Sequence, residues 1–340
     1  MSRPLTISCV EALALCSMLA AACPACRGAR NEVPPDDTTA TGRLLMANSN
    51  VGISIDVSAP AAPVLLAGPI PAVVVVHNRS AAPIDILLPY PNVNDLRFES
   101  PSATQRPTPS VGDERTIAIP IPPGQRYAST YYLNRYLRFD VPGDARVKYQ
   151  LDVHVTVSPR TPEASNKEIT AAGELTFHLI QGTEDALKEV LSNHAANLRS
   201  KDRKVKMEAA EALAFLETPL ALEAQARMLT IDGLEVIGIE ALGRSSSPQA
   251  HKLIVGMLSR PDSMVVMAAL AEIDRLRLDL PREKVHALLA SDNPNIRWTA
   301  LDWMAAHPDP RDRAAVSPLL GDPNTEVRER AKAYLESLPK

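Results

Sequence analysis

Apolar residues recur with one spacing in the N-terminal half of the chain and with a different spacing in the C-terminal half. Between about residue 44 and residue 181, apolar positions alternate with polar ones or form short β-branched runs separated by Pro, Gly, Asn and Asp, which is the pattern of short strands. The segment 147–157 alternates without interruption, so its apolar residues share one face. From residue 184 to residue 340 the apolar positions instead recur three and four residues apart, as in amphipathic helices. A β region of residues 44–181 and a helical region of residues 184–340 are therefore predicted.

The β region contains seven candidate strands, at residues 51–57, 73–76, 84–88, 115–119, 127–139, 146–157 and 174–180. Turn-forming residues at 77–80 predict that segment 84–88 returns beside segment 73–76. Short strands joined by turns, with no helical period between them, favour an antiparallel β-sandwich.

The order of the turns in this region is a further guide to its fold. Asn78-Arg79-Ser80 is followed by Pro122-Pro123-Gly124 and then by Pro142-Gly143-Asp144. This layout resembles the immunoglobulin-like accessory domains of bacterial exported proteins. The resemblance implies a fold and carries no functional residue.

A nine-residue frame recurs five times in the helical region. Its first, fifth and ninth positions are apolar, small and apolar, and the first positions are separated by 29, 31, 31 and 31 residues. The members are Val205/Ala209/Leu213, Leu234/Gly238/Leu242, Val265/Ala269/Ile273, Ile296/Ala300/Met304 and Val327/Ala331/Leu335. A leucine at the end of the preceding helix recurs in register with the frame, at positions 198, 229, 258, 289 and 320. Prolines between the helices recur in the same way, at positions 219, 248, 281, 310 and 339. Three markers in register indicate a structural repeat.

The length of the repeat predicts two short helices and two turns in each unit. Residues i, i+4 and i+8 lie within roughly 80° of one another around a helix, so each frame forms one apolar face with a small residue at its centre. A single helical hairpin cannot bury that face alone, whereas stacked neighbours can. An α-solenoid of five hairpins over residues 184–340 is therefore predicted.

The best-preserved repeats carry a recognisable motif. Repeat five reads Asp322, four residues, Val327-Arg328, two residues and Ala331, and repeat four is close to it, with Asp292, Ile296, Arg297 and Ala300. The pattern resembles HEAT repeats, which implies a binding scaffold and a ladder of Asp–Arg hydrogen bonds between repeats. Repeats one to three carry Lys206, Glu235 and Val266 at the arginine position, which puts the ladder in doubt there.

The third position of the frame is the candidate binding surface. It should point away from the core, toward the concave face of the repeats, yet it is apolar in four of five repeats, and acidic residues occur at position seven in three of them. We call the apolar side chains Met207, Val236, Met267 and Trp298 the position-3 row; the flanking acids are Glu211, Glu240 and Asp302. Methionine adapts to varied partners and tryptophan is a common interface anchor, so a protein partner is expected here. The alternative is that other parts of the same chain cover the row.

The first residues of the chain indicate export to the bacterial envelope. Residues 1–23 combine Arg3, an apolar stretch at 13–22 and small residues before Cys23, as a secretory signal does. The ending Ala-Ala-Ala-Cys resembles a lipoprotein signal, which implies lipidation of Cys23 and a tether at 24–43; cleavage without lipid and secretion is the alternative. The Cys23–Cys26 spacing also fits a redox pair, but a Pro-rich acidic segment follows it rather than a helix.

Composition and missing motifs reduce the number of functional classes that we expect for this chain. The net charge is −4 with 22% charged residues, so nucleic acid is not an expected partner, and all four cysteines lie within the first 26 residues. Phosphate-binding glycine loops, the Gly-x-Ser-x-Gly elbow and the His-Glu-x-x-His motif are missing from the sequence, so we expect no catalytic residue, cofactor or metal.

Two other function classes stay open. One is a carbohydrate- or cell-wall-binding module that uses the aromatic and basic side chains Tyr127, Tyr131, Tyr132 and Tyr136 with Arg126, Arg135 and Arg138. The other is an enzyme, by analogy with the HEAT-like lyases that modify bilins. The leading prediction is a non-catalytic interaction scaffold in the cell envelope.

Overall fold

The computed structural model describes residues 52–88, 96–106, 117–157 and 167–339. Eleven strands in the described N-terminal half and ten α-helices in the described C-terminal half make this a mixed α and β chain, as the sequence predicts. It divides into two compact units, Met1–Leu220 and Ala221–Lys340. The change from strands to helices falls between Ile180 and Glu184, so the first pair of helices belongs to the same compact unit as the sheets.

The strands form three sheets. Their bounds are β1 Ile53–Ser58, β2 Val64–Leu65, β3 Pro71–Asn78, β4 Ile84–Leu88, β5 Leu96–Glu99, β6 Thr104–Gln105, β7 Ile117–Ile121, β8 Arg126–Tyr132, β9 Leu137–Arg138, β10 Gly143–Val157 and β11 Lys167–Ile180. A three-stranded sheet has the order β1-β3-β8, a six-stranded sheet has the order β2-β11-β10-β4-β7 with β5 beside β10, and β6 pairs with β9. Every pairing is antiparallel except that of β2 with β11.

One hydrophobic core receives side chains from both larger sheets. Alternate residues of β10 are buried, which confirms the period-two prediction there; they are Val147, Tyr149, Leu151, Val153 and Val155. The three-stranded sheet contributes alternate residues of β1 and β3 to the same core, among them Ile55 and Val74.

The predicted pairing of segments 73–76 and 84–88 is wrong. β3 lies between β1 and β8, whereas β4 lies between β10 and β7 in the other sheet. The reason is a turn built on the buried Asn78 side chain, whose amide donates to the carbonyls of Ala82 and Ile121 at 2.9 Å each. Its oxygen accepts from the Ser80 hydroxyl at 2.6 Å. These bonds connect the end of β3 to the end of β7, so the chain crosses to the second sheet instead of returning as a hairpin.

The helices follow as short pairs. Their bounds are α1 Glu184–Asn197, α2 Arg203–Ala214, α3 Leu222–Met228, α4 Glu235–Leu242, α5 Pro248–Gly256, α6 Ser263–Arg275, α7 Arg282–Leu288, α8 Pro294–Ala306, α9 Arg313–Val316 and α10 Thr325–Ser337. Side-chain oxygens at six helix starts accept from backbone N–H groups; they belong to Thr183, Asp202, Ser247, Asp262, Asn293 and Asn324. Such caps satisfy donors that have no partner inside the helix. Of the helices that the structure describes, none is long and apolar enough to cross a membrane.

The second helix of each hairpin packs beside the next in the second compact unit. Contacts run from α4 to α6, from α6 to α8 and from α8 to α10. The frame residues of α4, α6 and α8 are buried, including Gly238, Ala269 and Ala300 at the centre of each face. Two end positions, Val205 and Leu335, are only half-buried.

In the last repeat, the leucine that was predicted to end the first helix of the hairpin is not the buried one. Leu198, Leu229, Leu258 and Leu289 are buried, but Leu320 is 49% exposed and Leu319 is buried instead. The segment Ser317–Gly321 is a 3₁₀ helix, and α9 before it has only four residues. Because a 3₁₀ helix has three residues per turn, the inward position moves by one residue.

A substitution of Gly238 tests whether the centre of the frame requires a small residue. A Cβ atom there would lie 2.9 Å from Met228 Cβ and 3.1 Å from Leu229 Cδ2. Overpacking costs about 1–3 kcal/mol, which exceeds the gain of about 1 kcal/mol in helix propensity. Gly238→Ala is therefore expected to lower the urea midpoint of unfolding.

Gly256→Ala is the matched control, because Gly256 is helical and a Cβ atom there meets nothing within 4 Å. It should leave the midpoint unchanged or raise it. Equal midpoints for the two variants would contradict the close approach of α3 and α4.

Candidate functional site

Three members of the position-3 row are brought together. Val236, Met267 and Trp298 lie on α4, α6 and α8, which pack side by side in that order, and all three are half-buried. They occupy equivalent places because each stands two residues after a buried first position of the frame. In the fifth repeat the same position is the charged, exposed Glu329 on α10. A partly accessible apolar row therefore runs across three neighbouring helices of the second unit.

Trp298, at one end of the position-3 row, lies beside charged side chains. The Arg330 guanidinium lies 6.0 Å from the centre of the Trp298 ring and forms an ion pair with Asp302. Asp302 is thus engaged within the chain, and it also fixes the cation that faces Trp298. The Arg330 Nε atom is buried, and among the residues that the structure describes it has no hydrogen-bond partner. Glu240, the other predicted acid of this unit, is half-buried on α4.

Met207 and Glu211 lie in the other compact unit, on α2. The same helix contacts β8 of its own chain: Lys204 Nζ donates to the Ala128 carbonyl at 3.0 Å and lies 5.7 Å from the Tyr127 ring centre. In addition to burial, the negative charge of Glu211 raises the pKa of Tyr131, Tyr132 and Tyr136. For the first repeat, the structure thus places β-region side chains against the helix that carries the predicted site residues.

The tyrosines proposed as a sugar platform are largely occupied by intramolecular contacts. Tyr136 packs edge-on against Phe98 with ring centres 5.1 Å apart, and Tyr132 is edge-on to His194 at 6.3 Å. Burial raises the pKa of Tyr131 and raises the pKa of Tyr136 to about 12. These contacts engage the Tyr136 and Tyr132 rings within the chain and leave less of their surface for a sugar to stack on.

A buried carboxylate in the last two hairpins was not recognised from the sequence. Asp312 is fully buried and accepts hydrogen bonds from Arg282 Nε at 2.9 Å, from a second nitrogen of Arg282, from His286 Nε2 at 2.8 Å and from the Tyr334 hydroxyl. Burial alone would raise the pKa of Asp312, but these hydrogen bonds outweigh it and lower that pKa. Arg282 also donates to the His307 carbonyl at 2.6 Å. The cluster joins α7, α10 and the end of α8.

The donors around Asp312 use both of its oxygens, so it is engaged as an anchor rather than poised as a general base. No spacing rule could have identified it, since its partners are 22 to 30 residues away.

A second buried ion pair corresponds to the Asp–Arg ladder implied by the resemblance. Arg297 donates from Nε and from a terminal nitrogen to the two oxygens of Asp322, each at 2.7 Å. A further nitrogen of Arg297 donates to the Ser291 carbonyl at 2.7 Å. This hydrogen bonding lowers the pKa of the Asp322 carboxyl. Repeat three has Val266 where Arg297 stands in repeat four, and valine has no side-chain donor with which to form an equivalent pair.

Other candidate sites in the described chain are weaker. Several histidines have polar partners of their own: His77 with Asp56, His178 with Asp144, His251 with the Ser245 carbonyl and His307 with Asp274. Across the residues that the structure describes, no three His, Cys, Asp or Glu side chains gather as possible metal ligands. An open hollow of about 430 Å³ is lined by residues 101–104, 140–145 and Leu179. Cys23 and the predicted signal lie outside the described residues.

The Arg297–Asp322 pair yields a stability prediction. Arg297→Met leaves a largely buried carboxylate without its guanidinium, which costs about 1–3 kcal/mol. Because the Asp322 pKa is lowered in the folded state, this stabilisation is present above about pH 4 and is lost as the pH falls through the folded pKa. Urea unfolding at pH 7 and in acid should therefore show a difference between wild type and variant that shrinks in acid.

The matched control is Arg328→Met. Arg328 donates to the carbonyls of Asp322 and Pro323 in the same way, but no carboxylate pair is seen for it within the described part of the chain. Its loss of stability should be smaller and should vary less with pH, because Arg328 lowers the Asp322 pKa only through its charge, whereas Arg297 also donates hydrogen bonds to that carboxylate. A pH-independent loss in Arg297→Met would contradict the prediction.

Comparisons with known proteins add little to this geometry. No protein-family model matches the chain, and no curated protein matches it. Similar solved structures include two engineered proteins, with 21% and 24% identity over 46% of this chain and 83% and 85% of theirs, at TM-scores of 0.26 and 0.28. Another is the alpha-2-macroglobulin of E. coli, with 10% identity over 84% of this chain and 22% of that chain, at a TM-score of 0.21. TM-scores this low establish neither a shared fold nor a shared function.

Proposed function

We propose that the chain is a non-catalytic protein-interaction module whose helical hairpins bind a protein partner. The observation that carries the proposal is the placement of Val236, Met267 and Trp298, one on each of three adjacent helices and each partly accessible. A half-buried apolar side chain at the same position of successive repeats gives a continuous contact surface. Surfaces of this kind are what stacked helical repeats offer to partners.

The finer fold assignment belongs to the same proposal. The helical hairpins are HEAT-like and stack as an α-solenoid, and the strands form an immunoglobulin-like sandwich. The ordered contacts of α4, α6, α8 and α10 and the Arg297–Asp322 pair support the first assignment. The shared core of the two larger sheets supports the second.

The chemistry of the row defines the kind of partner. Methionine side chains are flexible and polarisable, so they fit several shapes of apolar side chain. Trp298 is already preorganised by Arg330 and Asp302, which limits the entropy lost when a partner orders it. A protein segment that inserts apolar or aromatic side chains across α4, α6 and α8 fits this surface.

The row can be tested by site-specific crosslinking in native envelopes. A photoreactive amino acid at Met267 should yield a crosslink to one protein, whereas the same group at Glu283, exposed on α7, should yield none. Introducing Met267→Gln and Trp298→Gln together should reduce binding of the identified partner at least tenfold, because each removes buried apolar area at the interface. Circular dichroism must show that the double variant remains helical. An unfolded double variant would instead mean that the row is internal packing.

We propose further that the chain is exported to the bacterial envelope and is anchored by lipid at Cys23. The support is the Arg3, the apolar stretch at residues 13–22 and the three alanines before Cys23. Cys26 lies only three residues away, so it serves as the control for a general effect of removing a cysteine.

Lipid labelling tests the anchor directly. Cys23→Ser should abolish incorporation of labelled palmitate and shift the protein from the membrane fraction to the soluble one, whereas Cys26→Ser should behave as wild type. Wild-type protein that takes up no label and is recovered in the medium would support ordinary cleavage and secretion instead.

A further inference from the structure

β11 has a long edge with which none of the described strands pairs. Its last two residues, Leu179 and Ile180, pair with β2. Among the residues that the structure describes, the rest of the strand pairs with β10 alone. That pairing runs from Lys167 to Leu179 without interruption, so no bulge changes the direction of the backbone groups. We call the side of residues 168–178 that faces away from β10 the β11 edge.

The backbone groups that point outward along this edge follow from one hydrogen bond. The Leu66 N–H donates to the Ile180 carbonyl at 3.0 Å, so the backbone of Ile180 faces away from β10. Successive residues of an antiparallel strand face its two neighbours in turn. The even-numbered residues of β11 therefore direct their N–H and C=O groups outward, and their side chains are exposed; they are Glu168, Thr170, Ala172, Glu174, Thr176 and His178.

Three other sheet edges carry features that oppose further pairing. On β8, Lys204 of α2 donates to the Ala128 carbonyl at 3.0 Å. β7 contains Pro120, which has no N–H to donate, and β1 has only six residues. Such features protect sheet edges in many proteins. β11, in contrast, has fourteen residues and no proline.

We propose that the β11 edge pairs with the same edge of a second copy of this chain, which joins the two sheets into one. A further strand is the partner that satisfies a row of outward N–H and C=O groups. The contact lies in the first compact unit and does not rest on the proposed partner binding.

The order of residues along the edge fits a second copy. In an antiparallel pair related by a two-fold axis, outward residues lie opposite outward residues. An axis at Ala172 places this small residue opposite its equivalent. It also places Glu168 of each copy opposite Thr176 of the other, and Thr170 opposite Glu174. Each carboxylate then faces a threonine, and no like charges lie directly opposite each other.

Neighbouring registers fit less well. A shift of two residues in one direction places Glu168 opposite Glu174, and like charges directly opposite each other destabilise a strand pair. A shift of two residues in the other direction places Glu168 opposite His178, directly beside Leu179, where β2 already pairs. The register centred on Ala172 is therefore the one that both the charges and β2 allow.

Sedimentation equilibrium of the full chain tests the pairing and should show a monomer and a dimer. Ala172→Pro should raise the dissociation constant of the dimer at least about tenfold, because it removes an outward N–H from each copy without removing a bond to β10. Ala172→Thr is the matched control, since threonine keeps the N–H and suits a strand. It should dimerise as the wild type does. Circular dichroism should show wild-type secondary structure in both variants.

Hydrogen exchange at single residues tests the same edge in the wild type and does not depend on the proline variant. The amides of Thr170, Ala172 and Glu174 should exchange at least about tenfold more slowly where the dimer predominates than where the monomer does. The amides of Ala171 and Leu175, which face β10, should be protected in both. A wild type that stays monomeric at every concentration, a dimer without the added protection, or a folded Ala172→Pro variant that dimerises as tightly as the wild type would overturn the proposal.

Discussion

The close approach of neighbouring helices through a small residue is the constraint on which the helical half depends. Gly238, Ala269 and Ala300 are buried at the centre of their helices, with larger apolar side chains four residues to either side. A larger central residue would push the helices apart and open the contacts on both sides, since protein interiors leave little free volume. Once that distance is set, the orientation of each helix about its axis is set as well. Position 3 of each frame then has to lie at the accessible edge.

Apolar packing of similar repeats does not by itself define which residues meet, because one leucine contact resembles another. The last two hairpins add polar contacts that can form in only one alignment of the helices. Asp312 requires Arg282, His286 and Tyr334 around it, and Asp322 requires Arg297. A buried carboxylate that loses such partners is costly, so these pairs disfavour alternative registers.

The sequence predicted the features that depend on nearby residues, and it failed for some features that depend on residues far apart in the chain. Alternation at 147–155 correctly indicated a strand with one buried face, and the nine-residue frame correctly indicated which helical positions are buried in α4, α6 and α8. Both signals are local, since they repeat within one element. The pairing of segments 73–76 and 84–88 failed because the Asn78 side chain bonds to Ile121, 43 residues away. The leucine marker failed at Leu320 because a local 3₁₀ turn moved the inward position to Leu319.

Local patterns in the sequence were enough to predict the type of each region and the spacing of the repeats, because periods of 2 and 3.6 residues follow from backbone geometry alone. The sequence also determined the chemistry available at position 3. The contacts between elements required the folded chain: it places Lys204 beside Tyr127 of β8, Arg330 over Trp298 and four donors around Asp312. These outcomes depend on contacts between elements far apart in the chain, and the pattern within a single element does not contain them.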